Sequence, residues 1–135
     1  MTTLATDAPR TYQLGGIEEY PVIASDIIYE GAAVGENASG YARPLVAGDV
    51  FLGFAEQQVD NSTGVAGAQR VRVKTGGRIK LAVASLAITD NDRVAVYASD
   101  DNAFTKTATS NSKIGYVSRF ISTGLGIVEF EATRA

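Results

Sequence analysis

Apolar residues in this chain recur at every second position, and that period constrains the fold more than any other feature. Val71 and Val73 alternate with Arg70, Arg72 and Lys74, and Ile79, Leu81 and Val83 repeat the scheme beside Arg78 and Lys80. Side chains on a strand point alternately to opposite faces, so this pattern buries one face and leaves the other in water. A helix needs apolar residues three and four apart, and no stretch sustains that stripe. Only residues 85–92 have room for a helical turn. The expected class is all-β, a small β-barrel or β-sandwich.

Further strands are expected at 20–24, 27–34, 40–45, 50–58, 92–98, 104–107, 113–122 and 127–132, with Val94 and Val96 facing inward. Turn-forming residues separate them at 35–37, 47–49, 99–102 and 123–126. Residues 59–68, which include Asp60, Asn61, Ser62, Thr63 and Gly64, are polar and glycine-rich and read as an exposed loop. Residues 1–19 carry Pro9, Gly15 and Gly16 without a pattern that buries a face. They read as an extended N-terminal arm that orders on a partner, ahead of one core domain at 20–135.

The two clearest strands, 69–74 and 78–83, are expected to form a hairpin. A two-residue turn at Gly76 and Gly77 sets charge opposite apolar side chains, whereas a three-residue loop of Thr75, Gly76 and Gly77 sets Val73 opposite Ile79 and Val71 opposite Leu81. That register also places Arg72 opposite Lys80 and Lys74 opposite Arg78, and like charges in that arrangement are destabilising. Acidic neighbours are therefore expected, from Glu129 and Glu131 on the last strand or from a partner.

Composition removes several function classes. At 135 residues and 45% apolar content the chain can fill one core. A formal charge of -3 gives no global attraction to nucleic acid or to an anionic membrane. The first twenty residues hold no apolar run for a signal peptide, and no stretch reaches the roughly 20 apolar residues of a membrane span. A soluble chain made in the cytoplasm is expected. There is no cysteine and no histidine, which removes disulfides, thiolate chemistry and the usual general base. None of the fourteen glycines sits in a phosphate-loop, dinucleotide or nucleophile-elbow motif. An enzyme is not expected, nor is a cofactor.

Asp49, Asp90, Asp92, Asp100 and Asp101 lie in turn signals, where carboxylates bond the local backbone, and no calcium-loop spacing joins them. No metal site is assigned. Arg70, Arg72, Lys74, Arg78 and Lys80 are the dense basic cluster, without interleaved aromatics for stacking on bases, so a solvated strand face or a protein interface is expected. The six tyrosines are spread along the chain, as at core edges and interfaces.

An ordered set of segments carries a resemblance. It comprises Ile28-Tyr29-Glu30-Gly31-Ala32, Gly40-Tyr41-Ala42-Arg43-Pro44-Leu45, Phe51-Leu52-Gly53-Phe54-Ala55, Arg70-Val71-Arg72-Val73, Val96-Tyr97-Ala98-Ser99-Asp100-Asp101, Phe104-Thr105 and Ile114-Gly115-Tyr116-Val117. In this order they resemble the bacteriophage capsid cement, or head decoration, family, whose relatives are sometimes labelled phage recombinase. The match runs from about Tyr20 to the end. It implies a capsid decoration protein, a viral structural protein on the virion exterior after assembly in the host cytoplasm. The implied partner is the major capsid protein, and the implied form is a homotrimer at threefold or quasi-threefold positions. Thr11, Tyr12, Leu14, Ile17 and Tyr20 of the arm and its junction, with Arg70, Arg72, Lys74, Arg78 and Lys80, are the expected capsid or protomer interface. A recombinase would need an ATP-binding loop that this chain lacks. The alternative is a virion-displayed carbohydrate- or host-surface-binding module, which the same fold permits.

Overall fold

A computed structural model of the protein describes residues 5–7, 16–91 and 93–132. In chain order its strands are β1 (Ile17–Pro21), β2 (Asp26–Ile28), β3 (Ala33–Glu36), β4 (Ala42–Pro44), β5 (Val50–Ala55), β6 (Val59–Asn61), β7 (Arg70–Lys74), β8 (Gly76–Ala82), β9 (Ala95–Asp100), β10 (Ala103–Thr105), β11 (Ser112–Ser122) and β12 (Leu125–Glu131). A 3-10 turn at Ile88–Asn91 falls where a helical turn was expected. The all-β expectation holds. Among the described residues there are two five-stranded antiparallel sheets, β1-β7-β5-β3-β4 and β10-β9-β11-β12-β8, and a two-stranded ribbon, β2-β6.

The two sheets share one core, as in a sandwich, and no closed barrel forms among the described residues. Ala33, Phe51 and Phe54 of the first sheet meet Leu81, Val96, Phe104, Ile114, Val117, Val128 and Phe130 of the second. Phe54 and Phe130 stand edge to face with centroids 4.9 Å apart, and Phe51 packs on Phe54 in the same way at 5.4 Å. Such pairs add about 0.5–1.5 kcal/mol to the burial of their rings. The opposite face of the first sheet is covered by the ribbon, whose Ile28 and Val59 pack with Val34, Leu52, Val71 and Val73.

A bulge makes this layering possible. Strict alternation would send Phe51 and Phe54 to opposite faces. Val34 instead pairs with Gly53 and Gly35 with Phe51, leaving Leu52 as an extra residue, so both rings enter the sandwich core while Leu52 and Ala55 face the ribbon. Gly53 adopts φ +133, and a Cβ there would collide with the Lys74 carbonyl oxygen.

The expected hairpin of 69–83 does not form. β7 lies in the first sheet between β1 and β5, and β8 is an edge of the second, paired with β12. Thr75 is the crossing point. Its N–H donates to Gly16 O in line with β1, and its carbonyl accepts from Ala132 N beyond β12. The glycines that suggested a reversal permit a corner instead, with Gly77 at φ +142.

Three other expectations are corrected. Residues 27–34 divide into β2 and β3 around Gly31, whose φ of +86 breaks the strand. The polar stretch 59–68 contains β6, because Val59 and Asn61 both point inward and the Asn61 amide donates to Ile23 O and Val65 O at 2.8 and 3.0 Å. The arm boundary at 19 also moves, since β1 starts at Ile17 and pairs along β7.

Candidate interaction surface

Thr11, Tyr12 and Leu14 lie outside the described residues. Ile17 is exposed on β1, and Tyr20 is half-buried against the ribbon-side core. Burial, then the charges of Glu18 and Glu36, hold the Tyr20 phenol above its ordinary pKa.

The basic cluster is divided between the sheets. In register, Arg70, Arg72 and Lys74 of β7 face Pro21, Glu19 and Ile17 of β1. Lys74 also pairs with Phe54, so these cations lie on the face that the second sheet covers further along; they are exposed because β1 and β7 overhang it. Arg72 and Glu19 form an exposed ion pair at 3.8 Å. The predicted juxtapositions of Arg72 with Lys80 and of Lys74 with Arg78 are absent, because each pair is split between two sheets.

Arg78 and Lys80 instead belong to the outer face of the second sheet. There Arg78 pairs with Glu129 and Lys80 with Ile127, so the expected acidic neighbour of Arg78 is present, at 4.0 Å. Glu129 is shared: Arg93 approaches the same carboxylate oxygen at 3.8 Å. Continuing across the face, Glu129 pairs with Tyr116, and Tyr116 with Ala95. The Lys113 ammonium donates to the Tyr116 hydroxyl at 2.5 Å and lies 4.4 Å from the ring centroid. That hydrogen bond raises the Lys113 pKa. These side chains border a groove of about 560 Å³ whose walls also include Gly76, Gly77 and Glu131.

Sequence reasoning missed Arg93, Lys113 and Tyr116. Lys113 and Tyr116 are three apart, which alternation assigns to opposite faces. A register shift between Lys113 and Gly115 turns both outward while Ile114 and Val117 remain in the core. The signal was the glycine inside a strand, a common mark of a bulge.

Of the turn carboxylates, Asp49, Asp90 and Asp100 behave as local anchors, and Asp92 lies outside the described residues. Asp49 accepts from Val46 N and makes a two-pronged pair with Arg43 at 2.7 and 2.9 Å. Asp90 accepts from Ala87 N and from Lys106 Nζ, both at 2.8 Å, which lowers its pKa, and Asp100 accepts from Asn102 N. Among the described residues no group of three His, Cys, Asp or Glu side chains is placed to hold a metal ion, and no helix is long and apolar enough to cross a membrane. Comparison of the chain with protein-family models, with curated proteins and with solved structures finds no match.

Proposed function

We propose that this chain is a structural decoration protein that binds the outer surface of a tailed-phage capsid and stabilises the head. The observation that carries the reading is the ordered resemblance to the cement family. It is supported by where those segments fall: Phe51 to Ala55 include the bulge of β5, Arg70 to Val73 lie in β7, and Ile114 to Val117 flank the bulge of β11. The segments that carry the likeness therefore include those that build the layered core. In this reading the protein works by attachment and not by catalysis. It sits as a homotrimer on major capsid protein at threefold or quasi-threefold positions, where engagement of several subunits at once raises affinity.

The overhang of β1 and β7 is the attachment surface in this proposal, because it presents Ile17, Arg70, Arg72 and Lys74 on exposed strands joined to the N-terminal segment. Exposed ion pairs contribute only about 0–1 kcal/mol to folding, whereas the same charges desolvated at an interface matter more to binding. Arg72→Gln with Lys74→Gln should leave the melting temperature nearly unchanged and lower occupancy when the protein is mixed with undecorated heads at moderate salt. Undiminished occupancy would make the overhang a solvated face, and no occupancy by the parent protein would remove the capsid reading itself.

A further inference from the structure

We propose that the groove on the outer face of the second sheet receives an acidic segment of a partner protein, whose side-chain carboxylates are held by Arg78, Arg93 and Lys113. The charge distribution is the first ground. Ile127 pairs with both Lys80 and Arg119 and lies two residues from Glu129, so Arg78, Lys80 and Arg119 share one face with Lys113 and Arg93 at the groove. Five of the chain's twelve Lys and Arg residues gather there against Glu129 and Glu131, in a molecule whose net charge is -3. The second ground is geometry. The guanidinium groups of Arg78 and Arg93 stand 4.0 and 3.8 Å from one shared carboxylate, outside hydrogen-bond distance, and their side chains are 69% and 66% exposed. Two forked donors thus converge on one acceptor without being saturated by it, and a second carboxylate completes the set.

The remaining chemistry favours a protein segment over a nucleic-acid strand or a sugar. Bases and sugar rings bind by stacking on a free aromatic face, and the Tyr116 ring is already engaged by the Lys113 ammonium. A volume of about 560 Å³ lies within the roughly 300–1,000 Å³ typical of ligand clefts. The inference rests on the groove alone and does not require the capsid reading.

Binding of a labelled oligoglutamate peptide to the full chain, followed by fluorescence anisotropy at low ionic strength, tests it. The parent protein should bind this probe and not oligoglutamine of equal length. Arg78→Gln with Arg93→Gln should weaken binding by about tenfold or more, and Lys113→Met should also weaken it. Lys106→Gln, which removes a charge beyond β10 at the opposite edge of the sheet from β8, should leave it unchanged. Equal weakening by Lys106→Gln, or no preference for glutamate over glutamine, would overturn the proposal. So would tighter competition by a single-stranded oligonucleotide, which would assign the groove to phosphates. Self-association of the parent that the double variant abolishes would assign it to a second copy and equally overturn it.

Discussion

A single glycine shows how local chemistry fixes the layers. Gly53 places Phe51 and Phe54 on one face and brings its own backbone against Lys74 of the next strand. Gly53→Ala adds a Cβ where φ is +133 and where the Lys74 carbonyl occupies the space, so the strand must move and the ring cluster with it. A loss of about 2–4 kcal/mol in urea unfolding is expected; a loss below about 1 kcal/mol would show that the bulge relaxes freely. Asp101 offers a test by pH. Burial, then the neighbouring charges of Asp100 and Asp26, raise its pKa above the ordinary carboxylate value. A group whose folded pKa is raised binds its proton more tightly in the folded state, so its favourable contribution is complete at low pH and is lost as pH rises through the folded pKa. Asp101→Asn should therefore melt at a higher temperature than the parent at neutral pH, and the gain should vanish below the ordinary carboxylate range. Asp90, held down by Lys106 and the Ala87 N–H, has the opposite sign, and Asp90→Asn should melt lower at neutral pH.

At the scale of elements, the ribbon β2-β6 depends on one buried amide. Asn61 is 2% exposed and satisfies the carbonyls of Ile23 and Val65. Asn61→Ala leaves both part-buried carbonyls without that donor, at a cost of about 1–3 kcal/mol. Hydrogen exchange should then accelerate in the ribbon before it does in β11 and β12; uniform acceleration would mean that the ribbon and sandwich unfold as one unit. Sequence alone made much of the rest legible. Alternation located the body of β5, β7, β11 and β12, and the turn at Asp101 and Asn102 fell where its residues indicated. It did not say which strands pair. Arg70 to Ala82 alternate as a hairpin would, but a strand that crosses from one sheet to another alternates in the same way, and Gly76 with Gly77 suits either path. Bulges caused the other misreadings: the groove residues Lys113 and Tyr116 share a face only because the register slips beside Gly115. β6 was hidden because its buried polar residue looks like loop composition until its two carbonyl partners are in place.

For the whole molecule, the described part of this cysteine-free chain is held by two packed sheets, a covering ribbon and ties between sheets. One tie is Thr75; another, at the Val46 to Asp49 turn, is Ser112, which accepts from Gly48 N and donates to Asp49 O. The overhang and the groove are separate surfaces on this frame, one on each sheet, so the proposed capsid attachment and carboxylate binding are independently removable. Attachment to the outside of a phage head, as proposed, should be visible in a cryo-electron-microscopy reconstruction of heads that carry the protein. A two-sheet domain is expected in many copies at threefold or quasi-threefold positions on the outer surface, with the β1-β7 overhang against the shell. Heads without that density, or the domain confined to the tail, would overturn the proposed attachment.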